Sequence, residues 1–125
     1  MLMLDTSVAI HLRDGDPGVG ERIRAVRDAL AFSIVTVVEL EAGFLDGQAD
    51  IRRARLAALL ESIDVRPFDQ RDAAAYGRII STLGFSRRKV LDRMIAAQAL
   101  VDAASLVTMN GDDFRDIPGL TLLEW

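Results

Sequence analysis

The sequence predicts an α/β fold in which a central, mostly parallel sheet of four to five short strands forms the middle of a three-layer α/β/α arrangement. Short apolar or β-branched runs alternate with longer segments whose apolar residues recur every three or four positions. The short runs read as continuously apolar, which is typical of parallel strands covered by helices on both faces. A chain of 125 residues, half of them hydrophobic, can bury one such core, so we expect a single domain over residues 1–125.

The predicted elements follow one another in a regular order. Strands are predicted at residues 1–4, 31–35, 63–68, 105–109 and 120–125. Helices are predicted at residues 6–12, 19–30, 36–45, 49–63, 70–84 and 91–104. The segments DGDPG at 14–18 and LGFS at 83–86 contain the glycine and proline residues that are typical of loops.

The composition excludes several kinds of site. The chain has no cysteine and one histidine, so thiolate ligands, disulfides and a multi-histidine centre are excluded, and any bound metal needs oxygen ligands. A net charge of −4 argues against a whole surface built to bind nucleic acid, although it leaves local basic patches open. No run of apolar residues is long enough for a membrane span, and Asp5 interrupts the N-terminal run, so a cytoplasmic location is expected.

Acidic residues recur where strands end or where the next helix begins. Asp5 ends the first strand, and Glu39 lies in the first turn of the helix after the second strand. Asp92 opens the helix that leads to the fourth strand, which Asp112 and Asp113 follow. The carboxyl ends of parallel strands share one edge of the sheet, so we expect acids from these four segments to meet there.

Each acid also has an ordinary structural role open to it. Asp5 would serve as an N-cap, Asp92 as a buried cap, and Asp113 as part of a turn with Asn110 and Gly111. Several carboxylates without basic partners would, however, repel one another and raise one another's pKa unless a cation offsets the charge. Mg²⁺ or Mn²⁺ prefers oxygen ligands, and such a site activates water and stabilises in-line displacement at phosphorus.

The motifs that carry these acids resemble one known family. MLDTS at 3–7, TVVELEAG at 36–43, LDRMIAAQA at 91–99 and LVTMNGDDF at 106–114, followed by IPGLTLLEW, resemble a PIN-domain ribonuclease, specifically the VapC-type toxin of bacterial toxin–antitoxin pairs. The resemblance implies a PIN-like fold and an endoribonuclease that depends on Mg²⁺ or Mn²⁺. It also implies that the metal-binding and catalytic centre consists of Asp5, Glu39, Asp92 and Asp113.

The same resemblance implies several supporting features. Thr6, Thr108 and Asn110 match positions that support the acidic centre through hydrogen bonds, and Asp112 competes with Asp113 as the acid that faces the metal. The family further implies an RNA substrate, a homodimer and a neutralising VapB-like antitoxin.

A basic segment precedes and surrounds Asp92. SRRK at 86–89, together with Arg93, places Arg87, Arg88 and Arg93 near the predicted metal site, where they would contact an RNA backbone. The alternative is a solvated start of the helix.

Two other classes of protein remain as alternatives. One is an aspartate-dependent phosphatase or phosphotransferase, although Ser7 stands where a haloacid-dehalogenase-like fold would have its second acid. The other is a non-catalytic PIN-fold binding module that uses its acidic edge for a basic peptide. Metal-dependent cleavage of RNA by the purified protein distinguishes these alternatives from a ribonuclease.

Overall fold

The structure is a computed structural model that describes residues 1–44 and 47–125. Its helices are α1 (Thr6–Arg13), α2 (Pro17–Ala25), α3 (Ile34–Ala42), α4 (Ala49–Ser62), α5 (Gln70–Leu83) and α6 (Val90–Val101). Its strands are β1 (Leu2–Leu4), β2 (Leu30–Ser33), β3 (Asp64–Arg66), β4 (Ser105–Thr108) and β5 (Thr121–Glu124). Two short 3₁₀ turns, Arg87–Lys89 and Gly111–Asp113, lie before α6 and after β4. Within the described residues, no helix is long and apolar enough to cross a membrane.

The strands form a sheet in the order β3-β2-β1-β4-β5. Each described pair of neighbours is parallel, and Leu4 of β1 lies between Phe32 of β2 and Val107 of β4. The prediction of a mostly parallel sheet of four to five short strands is confirmed. Because the strands are parallel, β1, β2 and β4 all end at the same edge, which we call the carboxyl edge.

Helices cover both faces of the sheet. Met3 and Leu106 pack in one apolar cluster with residues of α5 and α6, whereas Leu4, Phe32 and Val107 pack in a second cluster with residues of α1, α2 and α4. This follows from the period of two along each strand, which sends neighbouring side chains to opposite faces. The predicted three-layer α/β/α arrangement is therefore confirmed.

The boundary between β2 and α3 differs from the prediction. Residues 31–35 were expected to form a strand because Ile34 and Val35 are β-branched, yet both belong to the first turn of α3. The Ser33 hydroxyl accepts a hydrogen bond from the Val35 amide (2.9 Å), and this N-cap starts the helix at Ile34. Glu39, which was expected in the first turn of this helix, consequently lies in the second turn of α3. The helix ends at Ala42, and residue 45, its predicted end, lies outside the described residues.

The start of α2 also differs from the prediction. The loop expected at 14–18 ends early because the Asp16 carboxylate accepts hydrogen bonds from the amides of Gly18 (2.9 Å) and Val19 (3.1 Å). Pro17 then occupies the first helical position, where its missing amide hydrogen is not needed. The predicted helix at 19–30 therefore begins at Pro17 and ends at Ala25, before β2.

Candidate active site

Asp5 lies at the carboxyl edge, directly after β1, and both of its carboxylate oxygens are held. Oδ1 accepts hydrogen bonds from the Val8 amide (3.0 Å) and the Ser7 hydroxyl (2.6 Å), while Oδ2 accepts one from the Thr108 hydroxyl (2.6 Å). Burial raises the pKa of Asp5, and the hydrogen bonds from Ser7 and Thr108 only partly oppose that rise. Asp5 is the N-cap of α1, as its ordinary structural role requires, and its carboxylate is also fixed in direction by β4.

The hydroxyls that hold Asp5 also hold the turn after β4. The Met109 amide donates to the Ser7 hydroxyl oxygen (3.0 Å), and the Asn110 amide donates to that of Thr108 (2.9 Å). Asn110 was expected to support the acidic centre through hydrogen bonds, and it forms them with its main chain. Its amide donates to Thr108, and its carbonyl accepts a hydrogen bond from the Asp113 amide (3.1 Å). The position of the acidic turn is therefore coupled to the position of Asp5.

Glu39 is half-buried on α3 and faces α1. The Thr6 hydroxyl donates to Glu39 Oε1 (2.8 Å), and the Thr6 and Thr36 hydroxyl oxygens are 3.0 Å apart. Thr6 has one hydroxyl hydrogen, so its bond to Glu39 makes Thr36 the donor to Thr6. Burial raises the pKa of Glu39, the hydrogen bond from Thr6 lowers it, and the charge of Asp5 raises it further, with a net increase.

Asp92 is the third residue of α6 and is half-buried. Burial is the largest cause that raises its pKa from 3.8 to about 6. The charges of Asp113, Glu39 and Asp5 raise it further, in that order, while the charge of Lys89 lowers it. Acids from four separate segments are therefore close enough at the carboxyl edge to repel one another.

Asp112 and Asp113 point in different directions although they are adjacent. Asp112 is exposed and forms an ion pair with Arg115, whose guanidinium also pairs with Glu124 of β5. Asp113 is half-buried, and its charge acts on Asp92. Within the pair, Asp113 is thus the acid that belongs to the cluster, and Asp112 belongs to a surface ion-pair network.

The three predicted RNA-binding arginines lie in two different environments. Arg87 and Arg88 are exposed in the 3₁₀ turn before α6. Arg93 is 3% exposed, and its Nη1 donates to the Gly84 carbonyl (2.8 Å) while Nη2 lies 3.7 Å from Asp116. Successive residues of a helix point about 100° apart, so closeness to Asp92 in sequence does not bring Arg93 to the same surface. Arg93 therefore has a structural role at the start of α6 and is not available to contact RNA.

Two hydroxyl residues of the site, Ser7 and Thr36, are absent from the residues that the sequence predicts. Ser7 follows Asp5 by two positions, at a helix start where side-chain oxygens commonly bond to nearby groups. Thr36 precedes Glu39 by three positions and therefore shares its face of α3. Both spacings are signals that would have pointed to these residues.

The donor set of the cluster fits a hard divalent cation. Its four carboxylates supply only oxygen ligands. Burial is the largest cause of the raised pKa of Asp92, and repulsion from the other three acids adds to it; a bound cation relieves such repulsion. Across residues 1–44 and 47–125, no three acidic or histidine side chains are already arranged as ligands of one ion. The cluster thus matches a cation in its chemistry without forming a closed set of ligands.

Comparison with known proteins identifies the family. The family model for the PIN domain matches residues 2–120. The chain belongs to the PIN-domain family. A relative of this PIN domain, the tRNA(fMet)-specific endonuclease VapC of Shigella flexneri, is 32% identical over 98% of this chain and 96% of its own length. The resemblance to VapC-type PIN domains is therefore confirmed.

Solved structures agree with this PIN-domain assignment. The DNA-bound VapBC of Salmonella typhimurium contains a chain that matches with a TM-score of 0.88 and 26% identity, over 99% of this chain and 97% of that chain. VapBC-5 of Mycobacterium tuberculosis, a member of the VapBC family of toxin–antitoxin systems, matches with a TM-score of 0.72 and 28% identity, over 98% and 97%. The PIN-like fold expected from the sequence is confirmed.

Proposed function

We propose that this PIN domain is a metal-dependent endoribonuclease that acts as the toxin of a toxin–antitoxin pair. One observation carries the proposal: acids from four segments lie together at the carboxyl edge, where burial first, and then the charges of Asp113, Glu39 and Asp5, raise the pKa of Asp92. A cluster of this kind is costly in a folded protein unless it serves a cation. The relative from Shigella flexneri is named a tRNA(fMet)-specific endonuclease, and this name supports RNA as the substrate.

Asp5, Glu39, Asp92 and Asp113 are the residues that would hold Mg²⁺ or Mn²⁺. When bound, the cation activates water and stabilises charge at the phosphorus atom during in-line displacement. The carboxylates of Asp5 and Glu39 are held ready for this role by the hydroxyls of Ser7, Thr108 and Thr6. Hydrogen bonds from residues around a metal site usually fix the orientation of the side chains that bind the metal, and these hydroxyls would have that role here.

Arg87 and Arg88 provide the positive charge that RNA needs near an acidic edge. Both are exposed, and both precede α6, the helix whose first turn carries Asp92. Guanidinium groups bind phosphate oxygens with two donors, so a pair of them offsets the repulsion between the RNA backbone and the four acids. We propose that these two arginines contact phosphates of the substrate.

We further propose two protein partners. The solved VapBC complexes support a VapB-like antitoxin as the inhibitor. A homodimer is supported by exposed apolar side chains next to the site: Ile34 and Val38 share one face of α3, and Leu91 lies in the first turn of α6. Sedimentation of the purified protein tests the dimer, and Val38→Arg should shift it to monomer if this face is the interface, because the charge would be desolvated there.

Cleavage of RNA by the purified protein tests the function. We expect cleavage with Mg²⁺ or Mn²⁺ and none in EDTA. Asp5→Asn, Glu39→Gln and Asp92→Asn should each remove most of it, and their effects should not add because the acids act as one unit. Glu41→Gln is the matched control, since Glu41 is an exposed acid on the same helix as Glu39 and pairs with Arg53.

Two results would overturn the proposal. Full cleavage by a folded double variant of the acids would show that they do not form the catalytic centre. Absence of metal-dependent cleavage by the wild type, with retained folding, would favour a non-catalytic binding module instead.

A further inference from the structure

Phe85 is a large apolar side chain that the fold leaves in solvent. It is 69% exposed, the highest value among the exposed large hydrophobic residues that the structure describes. It lies in the loop that joins α5 to the 3₁₀ turn Arg87–Lys89. Single apolar residues on a surface are common, so exposure alone assigns no role to this ring.

The backbone on both sides of Phe85 is held in place. Gly84 has a φ of +82°, a conformation that favours glycine, and its amide donates to the Ile80 carbonyl (2.8 Å). The Gly84 carbonyl accepts the hydrogen bond from buried Arg93 (2.8 Å), and the Ser86 carbonyl accepts one from the Lys89 amide (3.1 Å). The loop thus presents the ring from a fixed backbone.

The residues that follow Phe85 are positively charged and available to a ligand. Arg87 and Arg88 are exposed, and within residues 1–44 and 47–125 neither side chain has a hydrogen-bond or ion-pair partner. An exposed aromatic ring beside free guanidinium groups is the combination with which proteins bind single-stranded nucleic acid: the ring stacks on a base, and the cations contact the backbone.

The loop also leads directly into the candidate active site. Only the 3₁₀ turn and the first residues of α6 separate Phe85 from Asp92. An RNA strand stacked on Phe85 that follows Arg87 and Arg88 would therefore run towards the end of α6 that carries Asp92, with its phosphates at the two arginines.

We propose that Phe85 is a base-stacking platform for the RNA substrate. This inference rests on the proposed function and makes it more specific. A base within a duplex is already stacked between its neighbours, so the platform takes RNA with an unpaired nucleotide close to the cleaved bond. Charge favours RNA over a protein as the occupant, because the loop carries unpaired positive charge in a chain whose net charge is −4.

Binding of RNA in EDTA, where the substrate stays intact, tests the platform. The probes are a fluorescent single-stranded RNA and the same RNA annealed to its complement, measured by anisotropy. Phe85→Ala and Phe85→Leu should weaken binding of the single strand by about fivefold to a hundredfold, whereas Phe85→Tyr should keep it. Ile51→Ala, at a half-exposed apolar residue of α4, is the control for loss of apolar surface.

The variants distinguish base stacking from a general apolar contact. Leucine keeps an apolar side chain but has no aromatic face. A loss of RNA affinity in both Phe85→Ala and Phe85→Leu, together with retained affinity in Phe85→Tyr, therefore supports stacking. Equal affinity of all Phe85 variants for the single strand overturns it. An equal loss for the duplex also overturns it, because paired bases are not available to the ring.

The remaining outcomes are equally decisive. If RNA affinity is unchanged while sedimentation shows a change of oligomeric state, Phe85 belongs to a protein contact and the platform is wrong. If the wild type cleaves RNA with Mg²⁺ or Mn²⁺ but no Phe85 variant changes RNA binding, the protein is a ribonuclease in which Phe85 is not a base-stacking platform. If the wild type neither binds nor cleaves RNA, both proposals fail. Circular dichroism shows that each variant is folded.

Discussion

Replacing Asp92 with asparagine removes one charge from the acidic cluster without removing the side chain's volume. The pKa of Asp92 is about 6 in the folded protein against an ordinary value of 3.8, so the folded state binds this proton more tightly than the unfolded chain does. The stabilisation that this proton provides is complete below about pH 4 and is lost as the pH rises towards 6. Above pH 6 the wild type carries the full cost of the charge, and Asp92→Asn does not.

The size of the effect follows from the same interval. At about 1.4 kcal/mol per pH unit, the difference between 3.8 and about 6 sets an upper limit of about 3 kcal/mol. Asp92 is only half-buried, so solvent screens part of the repulsion and we expect about 1–2 kcal/mol. For a chain of this length, that corresponds to a rise in melting temperature of roughly 4–8 °C.

The assay is thermal unfolding in EDTA at pH 4 and pH 8. Asp92→Asn should be more stable than the wild type at pH 8 and about equally stable at pH 4. Ordinary helix-end electrostatics predict the opposite sign, a loss of about 0.3–1 kcal/mol, because an acid in the first turn interacts favourably with the helix dipole. Asp50→Asn, at an exposed acid in the first turn of α4, is the matched control and should show that loss.

Addition of Mg²⁺ completes the experiment. The cation should stabilise the wild type by about 2.7 kcal/mol at a hundredfold excess over its dissociation constant, and the variant by much less. The reasoning is refuted if Asp92→Asn is less stable than the wild type in EDTA at pH 8 and gains as much from Mg²⁺ as the wild type gains.

Three further predictions concern other parts of the site. Asp113→Asn should lower kcat/KM for RNA cleavage far more than Asp112→Asn, because only Asp113 faces the other acids; similar losses would contradict the assignment. Ser7→Ala removes a hydroxyl that both donates to Asp5 and accepts from a main-chain amide, so urea unfolding should show a loss of about 1–2 kcal/mol; unchanged stability would show that these bonds are not important. Replacing Arg87 and Arg88 together with alanine should make the slope of log affinity against log salt concentration for single-stranded RNA less steep by roughly 1.4, or about 0.7 for each lost phosphate contact. An unchanged slope would show that neither arginine contacts the RNA.

The convergence of the acids could be predicted because it depends on topology alone. Continuous apolar runs indicated parallel strands, and parallel strands end at one edge, so Asp5 and Asp113 were expected at the same edge of the sheet. That β1 and β4 are neighbours is known only from the structure. The start of α3 could not be predicted from propensity, since Ile34 and Val35 favour strands and only the hydroxyl of Ser33 starts the helix there.

The directions of individual side chains were harder to predict than the positions of the segments. Helical geometry, applied to Asp92, would have shown that Arg93 points elsewhere. The choice between Asp112 and Asp113 depends on where Arg115 lies after the turn, and that position is set by tertiary contacts with Glu124 of β5. The sequence spacing carries no information about such a contact.

The parallel direction of β5 has a practical consequence for work with this protein. The Trp125 amide donates to the Thr108 carbonyl (2.9 Å), and Thr108 holds Asp5, so the chain at Trp125 is two hydrogen bonds from the acids. Any polypeptide fused after Trp125 leaves beside the carboxyl edge, where the acids lie. One fused before Met1 leaves from the opposite end of the strands, where the amino terminus pairs with Asp28. A polyhistidine purification tag placed after Trp125 would put imidazoles where Mn²⁺ is expected to bind, and the same tag before Met1 would keep them on the far side of the sheet.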